Sequence, residues 1–425
     1  MRSNFILIVI IIVLSSFTVR ADYDFYFQNK TLRIDYYHSG NQKEEFYSID
    51  ELIEEPLWGG SKTQLVDKFD FGKYKVMVYD TLENKLIYSR GYSSIFAEWI
   101  DTKEAKITTK SFQETFCMPF PKKTVRLEFF SRDRKNQWNK KFSYIVDPTN
   151  YFIKKEKKSD YPSFVVSGKN KPATQMDIVI IPDGYTASEM EKFHKDCSRF
   201  SDLFLKCKPY DNYKSNICIR AIEAPSVESG CDFPGLGIWK NTLVGSSFYT
   251  FDSERYLMTY EYKTIRSIAA LVPYDQIIIL VNTDHYGGGG IYNYYSCCSS
   301  DNMYSNYIFT HEFGHAFAGL GDEYYDSDVS VQDFYPLDTE PWEPNLTTLV
   351  NFDSKWKKML DKKTSIPTLI TEESKTITGV FEGGGYMKKG VYRPFFDCSM
   401  KSIKYDAFCP VCQNAIIEMI EFYAK

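Results

Sequence analysis

Ile308-Phe309-Thr310-His311-Glu312-Phe313-Gly314-His315-Ala316-Phe317-Ala318-Gly319-Leu320-Gly321-Asp322-Glu323 is the stretch on which the reading of this chain turns. Ile308, Phe309, Phe313 and Phe317 recur at spacings of three and four, so the segment is predicted to be a helix with one apolar face. On a helix, residues four apart share a face. The imidazoles of His311 and His315 therefore point the same way and can hold one Zn²⁺ at about 2.0–2.1 Å. Glu312, beside the first histidine, is suited to meet a water on that ion rather than the ion itself. The plain alternative is an amphipathic helix whose two histidines are satisfied by protein partners.

A catalytic zinc takes three protein ligands and leaves one position open. Gly319 is expected to end the helix in a left-handed conformation that costs glycine little. The chain then turns back with Asp322, the first choice for third ligand; Glu323 stands second and His285 third. With zinc lowering the pKa of its water towards about 7, Glu312 is expected to act as general base and then as proton donor to the leaving amine, and peptide hydrolysis is the natural reaction. Farther along, Met400 in a tight turn after Cys398 is a candidate apolar floor for the site. Cys409-Pro410-Val411-Cys412 offers a metal-ligand spacing, but in an exported chain a disulfide is the expectation.

Upstream, Asp177 to Ile181 and Gln276 to Val281 have the pattern of buried strands. Thr186 to Glu189 forms a capping box before a helix whose apolar face is Met190, Phe193, Cys197, Phe200 and Phe204. Strands are expected to alternate with helices through the second half, closing with a helix over Gln413 to Tyr423. Gly287 to Gly290 lacks the spacing and the Lys-Ser/Thr pair of a phosphate loop; a flexible rim beside a cleft and a loose surface loop are the two readings. Between residues 148 and 173 come Lys154, Lys155, Glu156, Lys157 and Lys158, with Pro162 and Gly168, a composition expected of a solvated linker. Before it, residues 22–147 alternate apolar and polar, as at Leu32, Ile34 and Tyr36, and Val76 to Tyr79 faces Leu86 to Tyr88 across the turn-like Glu83-Asn84. That region is expected to be a β-sandwich, with His38 at its surface.

The 425 residues exceed one usual core. The first 21 have a positive start, an apolar run from Phe5 to Leu14 and small residues at Val19 to Ala21, the layout of a cleaved signal peptide; secretion or periplasmic residence follows. Ten apolar residues fall short of the roughly 20 needed to span a bilayer, so no stable membrane insertion is expected. Ten cysteines in an exported chain point to disulfides. A net charge of -5 without a basic block argues against nucleic acid as a partner. Asn29-Lys30-Thr31 and Asn345-Leu346-Thr347 match the glycosylation triplet.

Taken together, Asp177 to Thr186, Pro225 to Gly230, His311 to Tyr324, Tyr392-Arg393-Pro394 through Met400, and Phe408 to Cys412 resemble the exported metallopeptidases named after an immunoglobulin A-cleaving bacterial enzyme. The resemblance covers almost the whole mature chain. It implies an α+β multidomain protein, with an N-terminal β-sandwich followed by a metzincin-like α/β zinc-peptidase domain over 174–425. Met400 would sit in its methionine turn, and its substrates would be proteins or peptides. In the usual metzincin pattern the glycine and the third ligand stand three and six residues beyond the second histidine, whereas Gly319 and Asp322 stand four and seven beyond His315. Nothing in the residues encodes recognition of immunoglobulin A. Two competing readings are a surface-binding or adhesion module with a vestigial zinc site and a zinc amidase acting on cell-wall peptides.

Overall fold

Alternation of buried and part-exposed side chains folds the first third of the chain into strands, as in Tyr74–Asp80, where Tyr74, Val76, Val78 and Asp80 all turn inward. The structure, a computed structural model, describes residues 22–156, 159–325, 334–405 and 407–424. The expected signal peptide lies outside the described residues. After a helical turn α1 (Tyr23–Tyr26) come β1 (Phe27–Gly40), β2 (Glu45–Glu55), β3 (Tyr74–Asp80), β4 (Leu86–Tyr92), the short helix α2 (Ile95–Trp99), β5 (Lys110–Pro121), β6 (Val125–Arg132), β7 (Trp138–Val146) and β8 (Lys154–Lys155). They form two four-stranded sheets, β5-β1-β2-β8 and β4-β3-β6-β7. The hairpin of β3 and β4 turns at Asn84, which takes φ 52°. The sheets face each other through Phe129, whose ring lies 5.3 Å from that of Tyr36, 5.5 Å from Tyr47 and 6.4 Å from Phe116.

Two expectations for this region are corrected. His38 is not at the surface: it is fully buried, sandwiched 4.1 Å from Tyr47 and 3.8 Å from Phe96, with Glu45 at 3.0 Å and Glu114 at 3.3 Å from its ring nitrogens. Two carboxylates satisfy the ring, which lets an imidazole stay inside. The segment 148–173 is also more than a solvated connection. Lys154–Lys155 pairs with β2, Glu156 lies 3.1 Å from the buried Arg33, and Ser163–Ser167 is a strand of the next sheet.

The remainder contains β9 (Ser163–Ser167), β10 (Met176–Asp183), α3 (Met190–Phe204), β11 (Ile217–Ile222), α4 (Tyr262–Ala269), β12 (Gln276–Val281), β13 (Gly288–Ile291), β14 (Tyr295–Ser299), α5 (Ser305–Ala318), β15 (Phe381–Gly384), β16 (Met387–Arg393) and α6 (Pro410–Tyr423). One six-stranded sheet runs β13-β14-β12-β10-β11-β9, parallel through β14, β12, β10 and β11, with antiparallel strands at both edges. Every residue of β10 and β12 is buried, the mark of strands covered on both faces. The chain is thus a multidomain mixed α/β protein with an N-terminal β-rich domain. Thr186 and Glu189 form the expected capping box, and Pro410, which needs no hydrogen-bonded N–H, opens α6 three residues before the expected start. From 319 to 409 strands and helices do not alternate; the described residues there form 3₁₀ turns, loops and the β15–β16 hairpin. Among the described residues no helix is long and apolar enough to cross a membrane.

One face of the six-stranded sheet packs with α3, α5 and α6, through Phe193, Phe200, Phe309, Phe313 and Ile416. The other face shares a core with the β-rich domain: Val179, Ile181, Ile277 and Ile279 belong to the same apolar cluster as Tyr36, Phe116 and Phe129. Polar ties join them as well. Thr115 N–H donates to Tyr294 Oη at 3.0 Å, and Arg266 Nε donates to Thr115 Oγ1 at 3.1 Å. Phe129→Ala should therefore cost about 3–5 kcal/mol and weaken both domains together. Hydrogen exchange read peptide by peptide should show β10 and β12 losing protection at the same denaturant concentration as β1 and β6; separate transitions would contradict a shared core.

Candidate metal centre and active-site cleft

Helix α5 ends at Gly319, at φ 61°, where Leu320 N–H reaches back to Gly314 O at 3.3 Å. This left-handed stop turns the chain so that Leu320 and Asp322 come back over the face bearing the histidines. His315 Nδ1 then meets Leu320 O, and His311 Nδ1 lies 2.9 Å from Ser399 O. A carbonyl only accepts, so both Nδ1 atoms carry hydrogen, and in the neutral rings that bind a cation the lone pair is on Nε2. Those two Nε2 atoms are 3.1 Å apart, and Asp322 Oδ1 is 3.2 Å from one and 3.3 Å from the other. Donors about 2.0–2.1 Å from one tetrahedral ion stand about 3.3 Å apart. Asp322 Oδ1 is buried and makes no hydrogen bond in the protein, while the Tyr386 hydroxyl donates to Oδ2. The three donors fit a divalent cation.

The electrostatics follow from this packing. Burial lowers the His315 pKa, but Asp322 beside it outweighs that and brings it up to about 9 in the metal-free site. Burial would raise Asp322; His315 and His311 instead hold it well below the usual carboxylate range. Glu312 is pushed up, chiefly by burial, against the opposing pull of the two imidazoles. One of its oxygens lies within 4.8 Å of the ligand nitrogens of both histidines. Burial and Asp322 hold the Tyr386 phenol protonated, as a donor to Asp322 must be.

Glu312 and both histidines line a cleft of about 640 Å³. Gly287 to Gly290 borders the cleft, as the rim reading expects, but from Gly288 on it does so as the edge strand β13 and not as a loop. A Cβ at Gly290 would stand 2.1 Å from Glu312 O, which is why glycine is needed there. The β-rich domain supplies another wall through Lys73, Glu98 and Arg132. Glu98, with Tyr256 donating to it, is pushed up to about 7, mainly by burial. Met400 is fully buried, its sulfur 3.0 Å from where a Cβ on Gly314 would lie, between the two histidines in sequence.

The other two candidate ligands lie elsewhere. His285 meets the Phe233 and Phe248 rings edge-on and approaches Glu254 at 3.5 Å. Glu323 does not join Asp322 at the histidines but lies with Cys398, Cys409 and Cys412. Cys398 Sγ and Cys412 Sγ are 3.9 Å apart, and Cys409 and Cys412 do not form the expected disulfide. Asn345 is buried and bonded to Gly321 in both directions, which removes it as a glycan acceptor in the folded chain. Sequence reasoning missed Tyr386, Glu98 and the carbonyls of Ser399 and Leu320. Gly383-Gly384-Gly385 before Tyr386 was the one local signal, marking the hairpin turn.

The family description IgA Peptidase M64 matches residues 165–376 and 369–420, and Peptidase M64 N-terminus matches residues 22–143. The chain belongs to the IgA peptidase M64 family. Among curated proteins no match is found. Membership makes the chain a metallopeptidase by family, with protein or peptide substrates. In this M64 peptidase stripped of metal, the His315–Asp322 pair contributes stability with a defined sign. A histidine raised to about 9 contributes fully below its unfolded value of about 6.5 and loses the contribution as pH rises through 9. The stability difference between wild type and His315→Gln, from urea denaturation in chelator, should be largest at pH 5–6 and shrink towards pH 10. A difference that grows with pH would contradict the pair.

Proposed function

We propose that the chain is a secreted zinc-dependent endopeptidase of metzincin-like design, with His311, His315 and Asp322 as metal ligands and Glu312 as general base. The observation that carries the reading is the near-equilateral triangle of two imidazole nitrogens and one carboxylate oxygen, 3.1 to 3.3 Å on a side, opening onto a cleft beside a glutamate. Bound zinc would supply Lewis acidity, polarising the scissile carbonyl and making an attacking water acidic enough to ionise near neutrality.

The protein's own groups do the rest. Glu312 takes a proton from the attacking water as the new C–O bond forms, then delivers it to the amine nitrogen as the C–N bond breaks. Its raised pKa suits both halves of that transfer, since a base that is too acidic returns no proton. Ser399 O and Leu320 O hold the imidazoles in the tautomer that leaves Nε2 free, and Tyr386 orients Asp322. Met400 forms the floor of the site against Gly314. The glycine-rich β13 and the β-rich domain border the space a peptide would occupy. Secretion is supported by the layout of residues 1–21.

Glu312→Gln should keep the metal and the fold while cleavage of a mixed protein substrate falls by about 10²–10⁴-fold. Elemental analysis and peptide mass spectrometry of the digest provide both readouts. Chelator-sensitive cleavage in the wild type is expected with it; bound metal without any cleavage would favour a binding module, and cleavage of cell-wall peptides alone an amidase. Asp322→Asn should lower metal affinity by at least about 10-fold, checked by competition against a chromophoric chelator. Unchanged affinity would remove Asp322 from the ligand set.

A further inference from the structure

Beneath the cleft lies a second group of ligand atoms that the hydrolytic site does not use. Cys398, Cys409, Cys412 and Glu323 each offer one atom, all within 4.8 Å of one another, and all four residues are buried, Glu323, Cys398 and Cys412 completely. The elements that bring them together are separate. Glu323 follows Asp322 on the return from α5, Cys398 sits in the turn after β16, and Cys409 and Cys412 form the N-cap and first turn of α6. We propose that Glu323, Cys398, Cys409 and Cys412 form a closed structural site for a second divalent cation of the zinc class.

Distances, satisfaction and charge support it. Thiolates about 2.3 Å from a tetrahedral zinc stand about 3.8 Å apart, and a thiolate and carboxylate oxygen about 3.5 Å apart. Cys398 and Cys412 sulfurs are separated by 3.9 Å, and Cys412 Sγ lies 3.3 Å from Glu323 Oε1. Glu323 Oε1 also accepts from Asn345 at 3.0 Å, while Oε2 is buried without a hydrogen-bond partner. A carboxylate shut away from water is costly unless a cation meets it. Arg393, the nearby guanidinium, directs its hydrogen bonds to the carbonyls of Glu382, Gly383 and Phe396 instead. A disulfide between any two of the thiols would leave the buried Glu323 Oε2 still without a partner. Three soft sulfurs and one oxygen in four-coordinate spacing select zinc over calcium or magnesium. On binding, each thiol releases its proton to solvent, and the amide of Cys409, which already donates to Cys398 Sγ at 3.2 Å, together with the positive end of α6, offsets part of the thiolate charge.

The site has a use. Glu323 N–H donates to Met400 O at 2.8 Å, Glu323 is covalently joined to Asp322, and Ser399, next to Cys398, orients His311. An ion held here would lock the return segment to the Met400 turn and so fix two neighbours of the hydrolytic centre without touching substrate.

The test uses the full chain. Native mass spectrometry and elemental analysis should find two ions in the wild type and one in the His311→Ala/His315→Ala double variant. Cobalt loading of that double variant should give a thiolate-to-cobalt charge-transfer band, and Cys409→Ser together with Glu323→Gln should abolish it. Should the cysteine variant fail to fold, the band and the ion count in the double-histidine variant decide alone. No ion in that variant, no thiolate band, or Cys398, Cys409 and Cys412 found oxidised and inert to alkylation would overturn the proposal. A wild type holding two ions yet cleaving nothing would count against the endopeptidase reading while leaving this one supported.

Discussion

Two imidazole nitrogens and a carboxylate oxygen crowded within 3.3 Å of one another, in a site closed to most solvent, constrain everything around them. Such a grouping is costly unless each outer atom is bonded and the inner atoms share a cation. The protein supplies the outer bonds with backbone, which cannot titrate: Leu320 O for His315 and Ser399 O for His311. Both carbonyls become available only because Gly319 reverses the chain and because the Met400 turn is brought under the helix. Helix termination and turn placement are thus as much part of the site as the side chains that face its centre.

The scaffold that holds this arrangement has two faces with different duties. On one, α5 lies on α3 and α6 through a layer of phenylalanines, so the histidine-bearing helix is rigid along its apolar side. On the other, the six-stranded sheet shares its core with the β-rich domain, and that domain carries Glu98, Lys73 and Arg132 to the edge of the cleft. A domain that offers no reactive cluster of its own can still shape what enters. Exclusion of water by this wall also accounts for the raised positions of Glu98 and Glu312 on the pH scale.

Much of this was legible along the chain because local spacing carries it. The i, i+4 separation of His311 and His315, the glycine stop, the capping box at Thr186 and the buried-strand runs of β10 and β12 each depend on residues within a few positions of one another. Where partners lie far off in sequence the same reasoning failed. His38 has no local mark of burial, because Glu114 and Phe96 that enclose it come from elements some distance away. Asn345 looks like a surface triplet until Gly321 is found against it. Gly287 to Gly290 reads as a stretch beside a cleft where another backbone comes close, but its pairing as a strand with Tyr295 to Cys298 has no local mark.

By itself, then, the sequence determined the first two metal-ligand candidates, the adjacent candidate base and the buried strands β10 and β12, since helical pitch and strand alternation are properties of neighbouring residues. Only the tertiary structure separates Asp322 from Glu323, which differ by one position in the chain. It brought one carboxylate to the imidazoles and the other to three cysteines from distant segments. No local rule contains that choice, because it depends on where the Cys398 turn and the start of α6 settle against the returning chain, and those contacts form only when the whole domain has packed.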